Sequence, residues 1–251
     1  MIDSNNTKPS IVLVHGAFAD ASGWQKIILG LEEKDFSVTA VQIPLKSLAD
    51  DVATTVRALQ SQKGDVVLVG YSYGGAVITG AGAASANVKA LVYVSAFAPD
   101  RGEALEALIE LYPPSSLPPA LVPDSAGFLY IDRTKFREVF AADVSDSEFA
   151  VMAVTQKPIA AAAIFAEPIA AATWQTIPSW YIVAAQDHAI NPDLERFFAK
   201  RMRAKVTELK SSHVPFISQP DEIVRIIEDS SAVRKDAWQH ILKNGKHKKY
   251  L

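Results

Sequence analysis

The chain has no cysteine among its 251 residues. That excludes a disulfide framework, a thiolate zinc site, an iron–sulfur cluster and a cysteine nucleophile. The redox compartment stays open, since cysteine-free chains suit oxidising and reducing environments alike. No run of 18 apolar residues occurs, so no membrane-spanning helix is expected. The first ten residues, MIDSNNTKPS, lack a basic stretch followed by an apolar one, so the expectation is no secretory leader and a cytoplasmic location. Charge of one sign is also scarce: the formal net charge is −3, which gives no case for a nucleic-acid partner. There is no P-loop and no H-E-x-x-H pair, and Gly80-Ala81-Gly82 lacks the third glycine of a dinucleotide fingerprint. Neither a metal nor a cofactor is therefore expected.

What is present is an ordinary globular composition. Hydrophobic residues make up 49% and charged residues 21%, too apolar for a disordered chain. The length fits one large α/β domain, or at most two small ones. Nothing in the composition chooses between a monomer and a homodimer.

The distribution of charge marks boundaries. Residues 1–99 carry 7 Lys/Arg against 8 Asp/Glu, and residues 177–229 carry the same numbers. Residues 100–176 carry 5 against 11, and residues 230–251 carry 6 against 1. Two balanced blocks thus flank an acidic insert, and a basic tail follows. The expected organisation is a core of 1–99 and 177–230, a cap of 100–176, and a C-terminal helix or tail of 231–251.

Within the balanced blocks, apolar runs rich in β-branched residues alternate with helical patterns. SIVLV at 10–14, DVVLV at 65–69, VKALVYV at 88–94 and WYIVA at 180–184 are continuous apolar runs. Such runs suit strands buried on both faces of a parallel sheet. Helices are predicted at 24–33 after the candidate cap Ser22, at 48–62 after Ser47, at 192–203 behind Asn191-Pro192, and from Pro220 to about 229. The alternation predicts a doubly wound, mainly parallel sheet. The insert breaks this rhythm with several prolines. The repeated Pro-Ile-Ala-Ala-Ala at 158 and 168 predicts two proline-started helices in a cap made of helices rather than of a second sheet. In the tail, Trp238, Ile241 and Leu242 share one helical face, which predicts a docked helix followed by a frayed end.

The sharpest chemical signal is Gly70-Tyr71-Ser72-Tyr73-Gly74-Gly75. It follows an apolar strand and precedes a small-residue helix, the strand–turn–helix setting that holds an exposed nucleophilic serine. The residues two before and two after the serine must be glycine, because any Cβ there would strike the adjoining strand or helix. A plain glycine turn is the competing reading, and the context argues against it. A serine hydroxyl needs a base. Of the five histidines, His213 follows the predicted last strand at 205–210 and precedes the final core helix. In doubly wound sheets, catalytic loops lie at the carboxyl ends of strands. His240 and His247 lie in the tail, His188 reads as a loop side chain, and His15 reads as a structural ring bonded to backbone.

An acid must then fix the tautomer of the histidine and stabilise its protonated form. Asp187 sits just past the strand at 180–184, in QDHAINP. The competing reading makes Asp187 a turn stabiliser. The order Ser72, Asp187, His213 is the one expected for a nucleophile elbow on this architecture. The oxyanion of a tetrahedral intermediate needs preorganised donors. The backbone N–H groups of Ala17, in HGAF after the first strand, and of Tyr73 are the candidates. Phe18, Phe97, Phe165, Trp174 and Val214 are the candidate substrate-pocket side chains, with ordinary core packing the competing reading for each.

On these residues (VLVHGAFADASGW, VVLVGYSYGGAV, QDHAINP and SSHVPF with QPDEI) the chain resembles the α/β-hydrolase superfamily. The pattern is most similar to the group of plant methylesterases, hydroxynitrile lyases and their bacterial esterase relatives. The resemblance covers about 9–230 and is loose in the cap. It implies a six-stranded core that lacks the first two strands of the full fold. Tyr71 stands where relatives usually have His. The lyase branch carries a hydroxyl residue and a lysine where this chain has Gly16 and Val214, so the resemblance does not imply cyanohydrin cleavage. The expected activity is that of a carboxylesterase-type serine hydrolase acting on small to medium apolar esters. The acidic insert disfavours polyanionic substrates. Receptor-like members of the group keep an intact triad, so a binding or signalling role is the alternative. Cofactor-free perhydrolysis and C–C cleavage in the same cavity are further ones.

Overall fold

Five short runs of β-branched residues set the architecture. In the computed structural model, which describes residues 8–232, they are the inner strands and one edge of a six-stranded parallel sheet. The first half of the chain supplies β1 (Ser10–Val14), α1 (Gln25–Glu32), β2 (Val38–Val41), α2 (Leu48–Gln60), β3 (Val66–Tyr71), α3 (Tyr73–Ala81) and β4 (Val88–Val94). Next come α4 (Leu105–Ile109), β5 (Leu121–Pro123), β6 (Leu129–Ile131), α5 (Arg133–Phe140), α6 (Asp146–Val154) and α7 (Ala161–Ala166). The chain returns to the sheet with β7 (Ser179–Ala184), α8 (Pro192–Arg201), β8 (Lys205–Leu209), α9 (Pro215–Ser218) and α10 (Pro220–Ser231).

The strand order is β2-β1-β3-β4-β7-β8, with every neighbouring pair parallel. Strands β1, β3 and β7 are buried along their whole length, and β4 nearly so, because helices cover both faces. Of the edge strands, β2 is half-buried and β8 is largely open to solvent. The chain runs outward from β1 to β2 and then reverses past β1 to β3. Right-handed crossovers therefore put α1 on one face and α2, α3 and α8 on the other. Helix α10 packs on α1, where the side chain of Val224 fills the space over Gly30. The reversal between β1 and β3 is the switch point at which doubly wound sheets open a crevice.

Helix starts follow local chemistry. Ser47 caps α2 by accepting from the Asp50 amide, and Asn191 caps α8 ahead of Pro192. Ser22 does not cap α1, which has Trp24 at its N-cap and no side-chain cap; Asp20 instead accepts from the Ser22 amide at the 3₁₀ turn Ala21–Trp24 that leads into it. Strand β2 has no counterpart among the runs read from sequence.

The segment between β4 and β7 differs from expectation in two ways. It includes an antiparallel two-stranded sheet, β5–β6, closed by the Asp124–Gly127 turn. Neither proline of the repeated motif starts a helix in place. Ile159, after Pro158, instead bridges the backbone of Leu129, and Ile169, after Pro168, exchanges backbone hydrogen bonds with Gly102 and Glu103. Backbone pairing with a neighbouring segment outweighs the alanine helix propensity there. No helix among the described residues is long and apolar enough to cross a membrane. Trp238, Ile241, Leu242, His240 and His247 lie outside the described residues.

Candidate active site

Strand β3 ends in a tight turn at Ser72. Ser72 has φ 53° and ψ −123°, a strained conformation for a residue with a side chain. Such strain costs roughly 1–3 kcal/mol and persists only where the surroundings over-determine it. Here they do. The Ser72 amide donates to Val94, and its carbonyl accepts from the Gly75 and Phe97 amides. A Cβ on Gly70 would lie 2.5 Å from the Gly74 carbonyl oxygen, and one on Gly74 would lie 2.6 Å from the carbonyl oxygens of Val14 and His15. The glycines two before and two after the serine are thus sterically required.

Asp187 and His213 lie just past the carboxyl ends of β7 and β8. The structure brings them to Ser72. His213 Nε2 lies 2.9 Å from Ser72 Oγ, and His213 Nδ1 lies 2.5 Å from Asp187 Oδ2. All three side chains are buried. The amides of Ala189 and Ile190 donate to Asp187 Oδ1 at 2.6 and 2.9 Å, so the carboxylate is fixed by its own loop. With Asp187 accepting at Nδ1, the neutral imidazole presents an unprotonated Nε2 to the serine. The ring is wedged between Tyr71, 5.0 Å away, and Phe140, 4.8 Å away.

The segment between β4 and β7 grips both loops. Ser212, next to His213, donates its amide and its hydroxyl to Asp143. The acid loop is tied down by Ser116 donating to the His188 carbonyl, Ser115 to that of Ala189, and Asn191 donating to that of Pro113. Asp143 and Phe140 have no motif around them, and only the folded arrangement identifies them. His188 points its ring at the Glu138 carbonyl rather than toward the serine.

The loop after β1 lies against the elbow because β1 and β3 are neighbours. His15 spans this loop: Nδ1 donates to the Gly16 carbonyl and Nε2 accepts the Ile43 amide. Only the neutral ring can do both, and burial brings its pKa down to about 4. The loop brings Ala17 to the wall of the serine cavity, while Tyr73 opens α3, whose dipole favours negative charge at that end.

Ala17, Ser72, Tyr73 and His213 line one cavity of about 190 Å³. Phe18, Phe97 and Phe165 also line it. Trp174 and Val214 do not. The Trp174 indole donates to the Pro99 carbonyl and packs beneath the Arg201 guanidinium, away from the serine. Val214 faces a separate groove of about 400 Å³. Much of the remaining wall, including Ile109, Leu117, Leu121, Leu129 and Phe140, comes from the segment between β4 and β7, and Ala189 to Asn191 with Leu194 close it from the acid loop and α8.

The profile of the alpha/beta hydrolase family matches residues 11–226. Alpha/beta hydrolase nvfD of Aspergillus novofumigatus (strain IBT 16806) is 27% identical over 247 residues, covering 89% of this chain and 97% of that protein. Methylesterase 7 of Arabidopsis thaliana is 27% identical over 266 residues, covering 90% and 97%. Among solved structures, a pyrethroid hydrolase from Sphingobium faniae JZ-2 superposes with a TM-score of 0.78 at 21% identity, covering 92% of this chain and all of that one. The last likeness is one of fold. With the matched profile spanning most of its length, the chain belongs to the alpha/beta hydrolase family.

Proposed function

We propose that the protein is a serine hydrolase that cleaves small to medium apolar carboxylic esters through an acyl-enzyme. The observation that carries this reading is the unbroken relay Ser72 Oγ–His213 Nε2 and His213 Nδ1–Asp187. In the first step, His213 takes the serine proton as Ser72 Oγ attacks the ester carbonyl. Asp187 stabilises the imidazolium without itself being protonated. The carbonyl oxygen becomes an anion, and the amides of Ala17 and Tyr73 are the donors assigned to it. His213 then protonates the departing alkoxide, leaving an acyl group on Ser72. Water, deprotonated by His213, attacks that acyl carbonyl and releases the acid with Ser72 restored.

The cavity supports an apolar substrate of modest size. Its lining is aromatic and aliphatic, and its volume of about 190 Å³ lies below the roughly 300–1,000 Å³ of sites for drug-sized ligands. The name of Methylesterase 7 supports ester cleavage as the reaction class. The test is turnover of a panel of short apolar esters by the wild type and by Ser72→Ala. The expected result is turnover that falls by several orders of magnitude in the variant, which still melts cooperatively. Equal rates in the two proteins would overturn the reading. So would an inert wild type with a ligand-dependent stability shift that survives the substitution, which is the behaviour of a binding module.

A further inference from the structure

Helix α8 carries a glutamate that the relay above does not use. Glu195 has no solvent exposure at all. One of its oxygens, Oε2, accepts the amide of Ala184 at 3.0 Å, tying the end of β7 to α8 across the loop that holds Asp187. The other, Oε1, has no donor among the described residues. An ionised carboxylate buried with a single hydrogen bond is costly. The carboxyl of Asp187 lies beside it: the Asp187 amide donates to the carbonyl of the same Ala184 at 3.1 Å.

Two neighbouring buried carboxylates disfavour each other's ionisation. The donors decide which one keeps the proton. Asp187 accepts from Ala189, Ile190 and His213, whereas Glu195 accepts from Ala184 alone. Hydrogen bonds to the charged form favour it, so the negative charge belongs on Asp187 and the proton on Glu195. Burial pushes the Glu195 carboxyl well above the ordinary range, and the Asp187 charge adds to the push. The other groups that face it do not reverse this. Tyr71 and Tyr181 are kept neutral by burial, and Arg196 is engaged by Asp193 and Glu208.

We propose that Glu195 is a positioning residue: a neutral carboxylic acid whose O–H donates to Asp187 while its other oxygen holds the Ala184 amide. The proposal rests on the triad reading for its effect on catalysis. The donated hydrogen bond spreads the Asp187 charge and orients it. Without it, the charge facing His213 is more concentrated, the imidazolium is better stabilised, and the neutral base exists only at higher pH.

The experiment compares the wild type with Glu195→Gln and Glu195→Leu. Glutamine can donate to Asp187 and accept from Ala184, as the neutral acid does. Its kcat/KM and pH profile are expected to match the wild type. Leucine can do neither, and the acid limb of kcat/KM is expected to move up by a few tenths to about one pH unit. In the infrared, the carbonyl stretch of a protonated carboxylic acid is expected in the wild type at neutral pH and missing from Glu195→Gln. That band reports on Glu195 even if Leu fails to fold or the chain hydrolyses no ester. Absence of the band, or loss of activity in Gln equal to that in Leu, would overturn the proposal. A Leu variant with the wild-type pH profile would also overturn it, leaving Glu195 as mere filling.

Discussion

Tyr73 donates its phenolic hydrogen to Oδ2 of Asp51 at 2.7 Å, with both side chains buried. The residue whose amide is assigned to the oxyanion is thereby anchored to α2. Asp51 Oδ1 accepts the Leu45 amide, so the same carboxyl also fixes the loop after β2.

Asp51 makes stability depend on pH in an unusual direction. Burial pushes its carboxyl up to about 6 from 3.8. The folded protein therefore holds a proton that the unfolded chain releases, and the Asp51 contribution falls as pH rises from about 4 to 6. His15 acts oppositely. Its pKa drops from 6.5 to about 4, so the unfolded chain takes the proton and the His15 contribution grows as pH rises over that window. Asp51→Asn removes the first effect and leaves the second. Urea unfolding at several pH values between 4 and 6.5 should show stability rising more steeply with pH in Asp51→Asn than in the wild type. Parallel curves would contradict the buried-acid assignment.

Gly16 sets how closely the loop after β1 approaches the nucleophile. A Cβ there would lie 2.7 Å from Ser72 Cβ and 3.0 Å from the Tyr71 carbonyl oxygen. Gly16→Ala must shift one of these backbones. Misplacement by about an ångström can cost on the order of 10²-fold in rate. Steady-state kinetics should show that loss mainly in kcat, with KM little changed.

Asp187→Asn keeps the shape of the acid but can donate to His213 Nδ1, which selects the wrong tautomer. The expected loss in kcat/KM is on the order of 10⁴-fold. A retained cooperative melt would separate this from unfolding. Near-wild-type turnover would remove Asp187 from the relay.

Phe18 and Phe140 line both the serine cavity and the neighbouring groove, and their rings meet edge to face at 6.3 Å. They form the wall between the two spaces. Phe18→Ala should open the cavity toward the groove and raise kcat/KM for long esters relative to short ones. Rates over a series of increasing chain length measure this, and an unchanged ratio would refute the wall.

The legible parts of the site were those that chain-local sterics impose. Gly70 and Gly74 are dictated by the elbow, and strand ends place Asp187 and His213 near it. Strand β2 escaped notice because a four-residue, half-exposed edge leaves no long apolar run. The proline-started helices failed because Ile159 and Ile169 find backbone partners far along the chain. Trp174 misled because an aromatic residue in the insert looks alike whether it lines a cavity or, as here, bonds to Pro99. Asp143, Phe140, Asp51 and Glu195 carry no local signature. Their roles arise from which surfaces meet, and a single sequence does not record that.

The central claim is that Ser72 is the nucleophile. Incubation with a fluorophosphonate probe, followed by peptide mass spectrometry, tests it most directly. The expected result is one adduct, on Ser72, that disappears in Ser72→Ala. An adduct on any other residue, or none on the wild type, would contradict it.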